Sequence, residues 1–206
     1  MSIGFTVCVE FTTDGFKTVD HTRCATPNGI FFWQHHWLLE LLGLPVSEEA
    51  ATKHPFGIRG WPPCLSRNIV SNNYVLISNN SGSTASEKKR TRRYSVADEA
   101  AWKNQGLEIS SIPNEEMYQI DKTDSERVLL NPGCERPSWL TCAEMTTVLE
   151  SFSVDIRQHS ERRPEEYNRS VLRWILDIGS IYGNDCVRMV YWFDSLPQRF
   201  LQTFSE

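Results

Sequence analysis

The chain has 206 residues, of which 40% are hydrophobic, and it carries a formal net charge of −5 at pH 7. This length fits one folded unit, so a single domain over residues 1–206 is expected. The acidic balance argues against bulk binding to nucleic acid, which needs a broad basic face.

Neither a targeting segment nor a metal site is expected from the sequence. It contains no apolar run of about 18 residues, so no membrane span is predicted. Residues 1–5 lack the basic and apolar regions of a signal peptide, which predicts a cytoplasmic location. The cysteines form no Cys-x-x-Cys pair, so we expect free thiols and no structural zinc. A cofactor is not expected either.

The N-terminal part predicts a β-hairpin followed by a helix. Every second residue from Phe5 to Phe11 is apolar, which is the period of a half-buried strand. Asp14-Gly15 is a hairpin turn signal, and residues 16–21 are expected to form the returning strand. Residues 33–42 place their apolar side chains on one helical face, and Gly43 favours the end of that helix.

The middle of the chain shows little periodicity. Residues 70–135 are therefore predicted to be an insertion or an irregular region, with a mobile part rich in Asn, Ser and Gly. Two exceptions stand within it. Ser95 and Asp98 form a capping box for a helix over Val96–Asn104, and a short strand is expected near Arg127–Leu130.

The C-terminal part predicts two helices. Thr141 and Glu144 form a capping box that opens an amphipathic helix over Cys142–Phe152. The second helix is expected to begin at Pro164, which suits the first helical position, and to end before Gly183.

These elements indicate an α+β fold. A strand over Cys186–Phe193 follows the second helix, and a short helix is predicted at residues 197–204. The expected architecture is a small antiparallel-containing sheet, made of the N-terminal hairpin plus the C-terminal strand. Three amphipathic helices would pack on one face, with a long irregular insertion beside them. The first and last strands are expected to be neighbours.

A loop at residues 58–68 holds the first candidate binding residues, Arg59 and Trp61. An arginine fork beside a flat tryptophan ring, on a loop stiffened by proline, suits a planar anionic ligand. The ordinary interpretation is that both side chains pin the loop to the protein's own surface. Trp139 and His36 are grouped with them as candidate ligand contacts.

Arg188 and Asp194 are two further candidates on the last strand. They are six residues apart, so they share a face, and strand ends commonly carry functional side chains. A cross-strand ion pair explains Arg188 equally well.

A basic run at residues 87–93 is a candidate for weaker anion contact. It contains Lys88, Lys89, Arg90, Arg92 and Arg93. Such side chains bind the phosphates of a nucleotide or RNA, and the following Tyr94 suits stacking on a base. The alternative is a solvated surface segment.

Sequence motifs give little support to a catalytic function. No G-x-S-x-G, P-loop or G-x-G-x-x-G motif is present. Adjacent residues on a helix point about 100° apart, so His35 and His36 are not expected to share a metal ion. The enzyme hypothesis is a hydrolase that uses His36 and Asp194.

Five short segments follow one another in a characteristic order. They read FTVCVEFTTDGFK, WLLELLG, RGWPPCLS, SWLT and VRMVYWFD. Together they resemble a family of uncharacterised proteins found mainly in bacteriophages and bacteria, over residues 3–68 and 137–194. One departure is Trp33-Gln-His-His36, where the family has an Arg-Asn-Tyr-Asp-like run. The resemblance implies a phage protein that acts inside a bacterial cell, and it implies no particular reaction.

Three classes of function remain open on these grounds. The first is a non-enzymatic protein that binds and sequesters a small anionic ligand, such as a nucleotide immune signal of the bacterial host. The second is a protein-interaction module that inhibits a host protein, and self-association into a homo-oligomer is also open. The third is the hydrolase.

Overall fold

The computed structural model describes residues 4–26, 28–30, 42, 56–79, 93–155 and 162–194. The described strands are β1 Gly4–Thr12, β2 Thr22–Cys24, β3 Tyr74–Ser78, β4 Arg93–Ser95, β5 Glu126–Leu130, β6 Cys134–Thr141 and β7 Val187–Asp194. The described α-helices are α1 Arg67–Asn73, α2 Val96–Asn104, α3 Cys142–Asp155 and α4 Arg162–Tyr182. The protein has an α+β fold, as the sequence predicts.

The first sheet has the strand order β2-β1-β7-β6, and every neighbouring pair is antiparallel. β7 pairs with β1 along its whole length, from Gly4 opposite Asp194 to Phe11 opposite Val187. The prediction that the first and last strands are neighbours is therefore confirmed. These two strands form the centre of the sheet, with β2 and β6 at its edges.

One face of the first sheet packs against α3 and α4. Val9 and Met189 are direct cross-strand partners on this face, and both are fully buried. Val148 of α3 and Ile175 of α4 cover them in one continuous apolar cluster, which we call the first core. Leu42, the last residue of the helix predicted at 33–42, also belongs to this core. The rest of that helix and the helix predicted at 197–204 lie outside the described residues.

The opposite face of the same sheet packs against a second layer. Its residues Cys8, Val190 and Trp192 join α1, β3 and β5 in an apolar cluster, which we call the second core. The second sheet has the order β4-β3-β5, with β3 parallel to β4 and antiparallel to β5. β7 is therefore buried on both faces, with alternate side chains in the two cores.

Residues 70–135 contain more regular structure than their sequence indicates. They contribute β3, β4, β5 and α2, and the predicted strand near 127–130 is confirmed as β5. The residues of β3 and β5 show no alternation, because the apolar centres of these strands are buried on both sides, from Val75 to Ile77 and from Val128 to Leu130. A short continuous apolar run cannot be assigned by periodicity.

The returning strand of the hairpin begins later in the chain than the sequence predicts. Pairing begins with Thr22 opposite Thr12, so residues 16–21 form a wide loop and a 3₁₀ turn instead. The Asp14 carboxylate organises this loop, because it accepts hydrogen bonds from the hydroxyls of Thr12 at 2.6 Å and Thr18 at 2.7 Å. An aspartate that bonds several residues of its own loop favours a wide connection over a two-residue turn.

The predicted helix ends agree with the structure to within a few residues. α2 covers the predicted span, with the Ser95–Asp98 capping box formed. α3 begins at Cys142 as expected and continues to Asp155. α4 begins at Arg162, two residues before the expected Pro164, so this proline lies in the first turn, where the backbone N–H groups have no helical partner. Among the described helices, none is both long and apolar enough to span a membrane.

Val148 tests the burial of α3, because its side chain has no exposed surface. Val148→Ala removes two methyl groups from the first core and should lower the free energy of unfolding by about 1–3 kcal/mol. Urea unfolding followed by circular dichroism measures this value. Glu150→Ala, at an exposed position of the same helix, is the matched control and should change it by less than about 0.5 kcal/mol. Equal stabilities of the two variants would contradict the packing of α3.

Candidate functional site

The Arg59 side chain lies beside the N-terminus of α3. At this point the loop of residues 56–66, which contains Arg59, contacts the end of β6. Its Nη1 donates to Glu144 Oε2 at 3.0 Å, and its Nη2 pairs with Oε1 of the same carboxylate. The guanidinium carbon lies 4.8 Å from the ring centroid of Trp139 and 5.9 Å from that of Phe56. The Arg59 side chain is 26% exposed. These four residues, Phe56, Arg59, Trp139 and Glu144, form what we call the Arg59 platform.

Glu144 has a second role in the same place. Its Oε2 accepts from the backbone N–H of Thr141 at 2.9 Å, while the Thr141 hydroxyl accepts from the Glu144 N–H at 3.3 Å. This is the predicted capping box, and it holds the carboxylate at the helix N-terminus. Burial raises the pKa of Glu144, but hydrogen bonds from Arg59 and Thr141 outweigh it, so the pKa is lower than usual. The hydrogen bond to Glu144 in turn raises the pKa of Arg59.

A neutral hydroxyl pair lies beneath the platform. Ser138 and Tyr191 are direct partners in the β6–β7 register, and both are fully buried. The Ser138 hydroxyl accepts from the Arg59 backbone N–H at 3.2 Å. Burial raises the pKa of Tyr191, against the opposing effects of Ser138 and Arg59. The phenol therefore stays protonated, so the platform adds no negative charge besides Glu144.

Trp61 does not join this platform. Its ring packs against Trp192, with 5.3 Å between the ring centroids, at the edge of the second core. Gly60 separates it from Arg59 with a φ of +72°, a backbone conformation that favours glycine. Arg59 and Trp61 were expected to lie together, but they contact different tryptophans. Arg59 lies beside Trp139, and Trp61 packs against Trp192. Both tryptophan contacts fix the loop to the protein, as its ordinary interpretation requires.

Arg188 lies inside the protein, in a cross-strand ion pair with its direct partner Glu10. Arg188 Nε donates to Glu10 Oε2 at 2.8 Å, and Nη2 donates to the Cys64 carbonyl oxygen at 3.1 Å. The Phe16 ring covers the guanidinium at 3.9 Å. Only 2% of Arg188 is exposed. The ion-pair interpretation left open by the sequence is therefore the one that the structure shows.

The remaining candidate residues are described in part. Asp194 ends β7 and lies opposite Gly4 and Cys134, but its side chain, like all of His36, lies outside the described residues. The hydrolase that would use these two residues therefore stays a prediction.

The basic run is described only at its last residue. Lys88, Lys89, Arg90 and Arg92 lie outside the described residues. Arg93 opens β4, and its Nε donates to Glu126, whose side chain is 3% exposed. This arginine therefore balances a buried acid of β5, and its contribution to an anion site is correspondingly reduced.

Three residues of this region were not predicted as site residues from the sequence. Phe56, Ser138 and Tyr191 carry no local signal, since a lone aromatic or hydroxyl residue has no informative spacing. Glu144 was recognised only as a helix cap, because its partner Arg59 lies 85 residues earlier. Within the described part of the chain, no group of three or more His, Cys, Asp and Glu residues is arranged to hold a metal ion.

No protein-family model, curated protein or solved structure matches the chain. The geometry of the Arg59 platform is therefore the basis on which a function is proposed.

The Arg59–Glu144 pair should make stability depend on pH in a defined direction. Because the folded-state pKa of Glu144 lies below its ordinary value of 4.5, the charged pair stabilises the fold above that pH. This stabilisation is lost as the pH falls through the lower, folded-state value. Glu144→Gln keeps an acceptor for the cap and removes the charge, so it should cost about 0.5–1 kcal/mol at pH 7.

Urea unfolding of the wild type and Glu144→Gln at pH 7, 5 and 3 measures this difference. We expect it to shrink at the lowest pH. Glu150→Gln, an exposed change in the same helix, should show no such trend. A difference that stays constant or grows towards pH 3 would mean that the charge of Glu144 does not stabilise the fold.

Proposed function

We propose that the protein is a non-enzymatic binding module that captures a small planar anion at the Arg59 platform. The observation that carries this proposal is the setting of Arg59. Its guanidinium is partly exposed, held in place by Glu144 and flanked by two aromatic rings. Because these contacts already restrict the Arg59 side chain, it loses little conformational entropy when a ligand binds.

The platform offers both charge and a flat surface. A guanidinium carries five N–H donors, and among the described residues Glu144 and the Trp139 carbonyl oxygen accept from that of Arg59. Its plane also stacks well on aromatic systems. Beside the rings of Trp139 and Phe56, the exposed part of the guanidinium suits a planar ring whose negative group reaches the remaining donors.

The charge balance favours a ligand of low negative charge. Glu144 neutralises much of the field of Arg59, and the whole chain carries a net charge of −5. This background would repel a polyanion more strongly than a planar group with one negative charge. A cyclic mononucleotide, with one base and one phosphodiester, has this chemistry.

The narrower proposal is that the ligand is a nucleotide immune signal of a bacterial host. It rests on the sequence resemblance to the phage family, and one contact supports it. The RGWPPCLS and SWLT segments lie about 80 residues apart, and they meet where Arg59 contacts Ser138 and Trp139. Two of the five shared segments thus build one surface. Sequestration of a host signal is the role that a binding site in such a protein would serve.

Native mass spectrometry with a panel of linear and cyclic nucleotides tests ligand capture. Arg59→Gln removes the charge and should weaken binding roughly tenfold or more, since hydrogen bonds to charged groups contribute about 1.5–3 kcal/mol. Arg67→Gln is the matched control, because Arg67 also pairs with a carboxylate, that of Asp20, away from the platform. It should bind as the wild type does.

The recovered nucleotide distinguishes the possible outcomes. An unchanged bound nucleotide supports capture, whereas a consumed one would favour the enzyme hypothesis. Equal binding by Arg59→Gln and the wild type would remove the Arg59 platform as the site. Circular dichroism of both variants shows whether the fold is retained.

A second candidate function is protein interaction, and the exposed face of α4 favours it. Tyr167, Trp174 and Ile181 recur every seven residues along this helix and are 42%, 45% and 76% exposed. A seven-residue repeat of apolar side chains is the pattern that packs along another helix. The inhibited host protein expected from sequence would dock here through such a helix.

A second copy of the chain is the partner that this surface fits most directly. Because Tyr167 and Ile181 are equally distant from Trp174 in sequence, an antiparallel pair of α4 helices would place Trp174 at a two-fold axis. Arg173 and Asp177 lie on the same side of α4 beside Trp174, so opposite charges would approach each other across that axis.

Light scattering coupled to size-exclusion chromatography at several protein concentrations tests this pairing. The wild type should form a dimer, and Trp174→Glu should be monomeric because it places charges at the axis. Val96→Glu is the matched control, since Val96 is an exposed apolar residue of α2, 47% exposed. It should remain dimeric. A wild type that is monomeric at every concentration would contradict self-association.

A further inference from the structure

Cys8 and Cys24 lie on neighbouring strands, on the same face of the first sheet. Cys24 in β2 is the direct partner of Glu10 in β1, and Cys8 precedes Glu10 by two residues. Side chains two residues apart on a strand point to the same face, so both thiols point towards the second core. Cys8 is buried within that core, and Cys24 packs against it while partly exposed. Both are free thiols.

The two thiols are diagonal neighbours on paired strands and differ in exposure. Each affects the pKa of the other, and Thr26 also acts on that of Cys24. The interaction with Cys24, then burial, raises the pKa of Cys8. The interaction with Cys8, opposed by burial and aided by Thr26, lowers the pKa of Cys24. The pKa of Cys24 is thus the lower of the two, and Cys24 is also the more exposed thiol.

Solvent exposure distinguishes Cys24 from Cys8 in the same way. β2 is an edge strand of three residues, it ends at Cys24, and the chain bends at Ala25. An external reagent therefore reaches Cys24, while Cys8 is covered by the second core. An accessible, more acidic thiol next to a buried one is the arrangement of an attacking and a resolving cysteine.

We propose that Cys8 and Cys24 form a redox-active dithiol, which closes to an intrachain disulfide by exchange with a small-molecule disulfide such as oxidised glutathione. This modification site is separate from the Arg59 platform and does not depend on the proposed function. Diagonal residues on paired strands are roughly 7–8 Å apart, whereas a disulfide joins Cα atoms about 4.4–6.8 Å apart, so closure draws β1 and β2 together at Cys24.

The exchange takes place in two balanced steps. The Cys24 thiolate attacks one sulfur of the small disulfide, whose S–S bond breaks, and one glutathione thiolate leaves. Cys8 then loses its proton to water and attacks the Cys24 sulfur, and the bond from Cys24 to the second glutathione breaks. Two protein thiols are oxidised and one small disulfide is reduced to two thiols. These take up the two protons released by Cys8 and Cys24.

Alkylation and intact-mass analysis test the proposal. The reduced protein is incubated with oxidised glutathione, its remaining thiols are blocked with N-ethylmaleimide, and peptides are mapped. We expect two fewer alkylations and a peptide that joins residues 8 and 24. Cys8→Ser should trap a glutathione adduct on Cys24, because the resolving thiol is gone. Cys24→Ser should form neither the bridge nor an adduct at Cys8.

Cys186→Ser is the matched control, since Cys186 is another partly exposed cysteine, and it should form the 8–24 bridge as the wild type does. Cys24 should also react with N-ethylmaleimide roughly tenfold faster than Cys186. The proposal would be overturned if the bridge joins another pair, or if the folded Cys8→Ser variant carries no adduct on Cys24. Urea unfolding of each variant before oxidation establishes that it is folded.

Discussion

The ion pair between Glu10 and Arg188 is the constraint on which the rest of the structure depends. It lies between the two central strands of the first sheet, with 0% and 2% of the residues exposed. Glu10 also accepts from the Ser66 N–H at 2.6 Å, and Arg188 donates to the Cys64 carbonyl. Loss of either partner would leave an uncompensated charge in the interior, which typically costs about 3–5 kcal/mol. One pair therefore fixes the strand register and attaches the loop that precedes α1.

The geometry of the Arg59 platform depends on the register between β1 and β7. Once Glu10 and Arg188 are opposite each other, Tyr191 faces the first core and lies opposite Ser138 of β6. Ser138 binds the backbone of Arg59, and β6 continues without a loop into α3, whose capping residue Glu144 holds the guanidinium. The partly exposed arginine is thus positioned by elements from both halves of the chain. A loop alone would not hold it so firmly.

Local signals in the sequence predicted local structure well. Of the long-range arrangement, the pairing of the first and last strands was predicted, but little else. The capping boxes at Ser95 and Thr141 placed the starts of two helices, because a cap depends on residues three positions apart. Of the second sheet only β5 was predicted, since β3 is buried on both faces and lacks alternation. The partner of Arg59 was missed as well, and Gly60 turned Trp61 towards a different neighbour. Such pairings depend on the fold, which no short window of sequence contains.

The central pairing of β1 with β7 has a consequence for how the chain is made. Glu10 and Arg188 are 178 residues apart, and ribosomes add about 5–20 residues per second. β1 therefore leaves the ribosome roughly 10–35 s before the strand that completes it. During this interval the edge of β1 that later pairs with β7 lacks that partner, and such edges invite pairing with other chains. Nascent copies of this protein should therefore need shielding by chaperones until synthesis reaches β7.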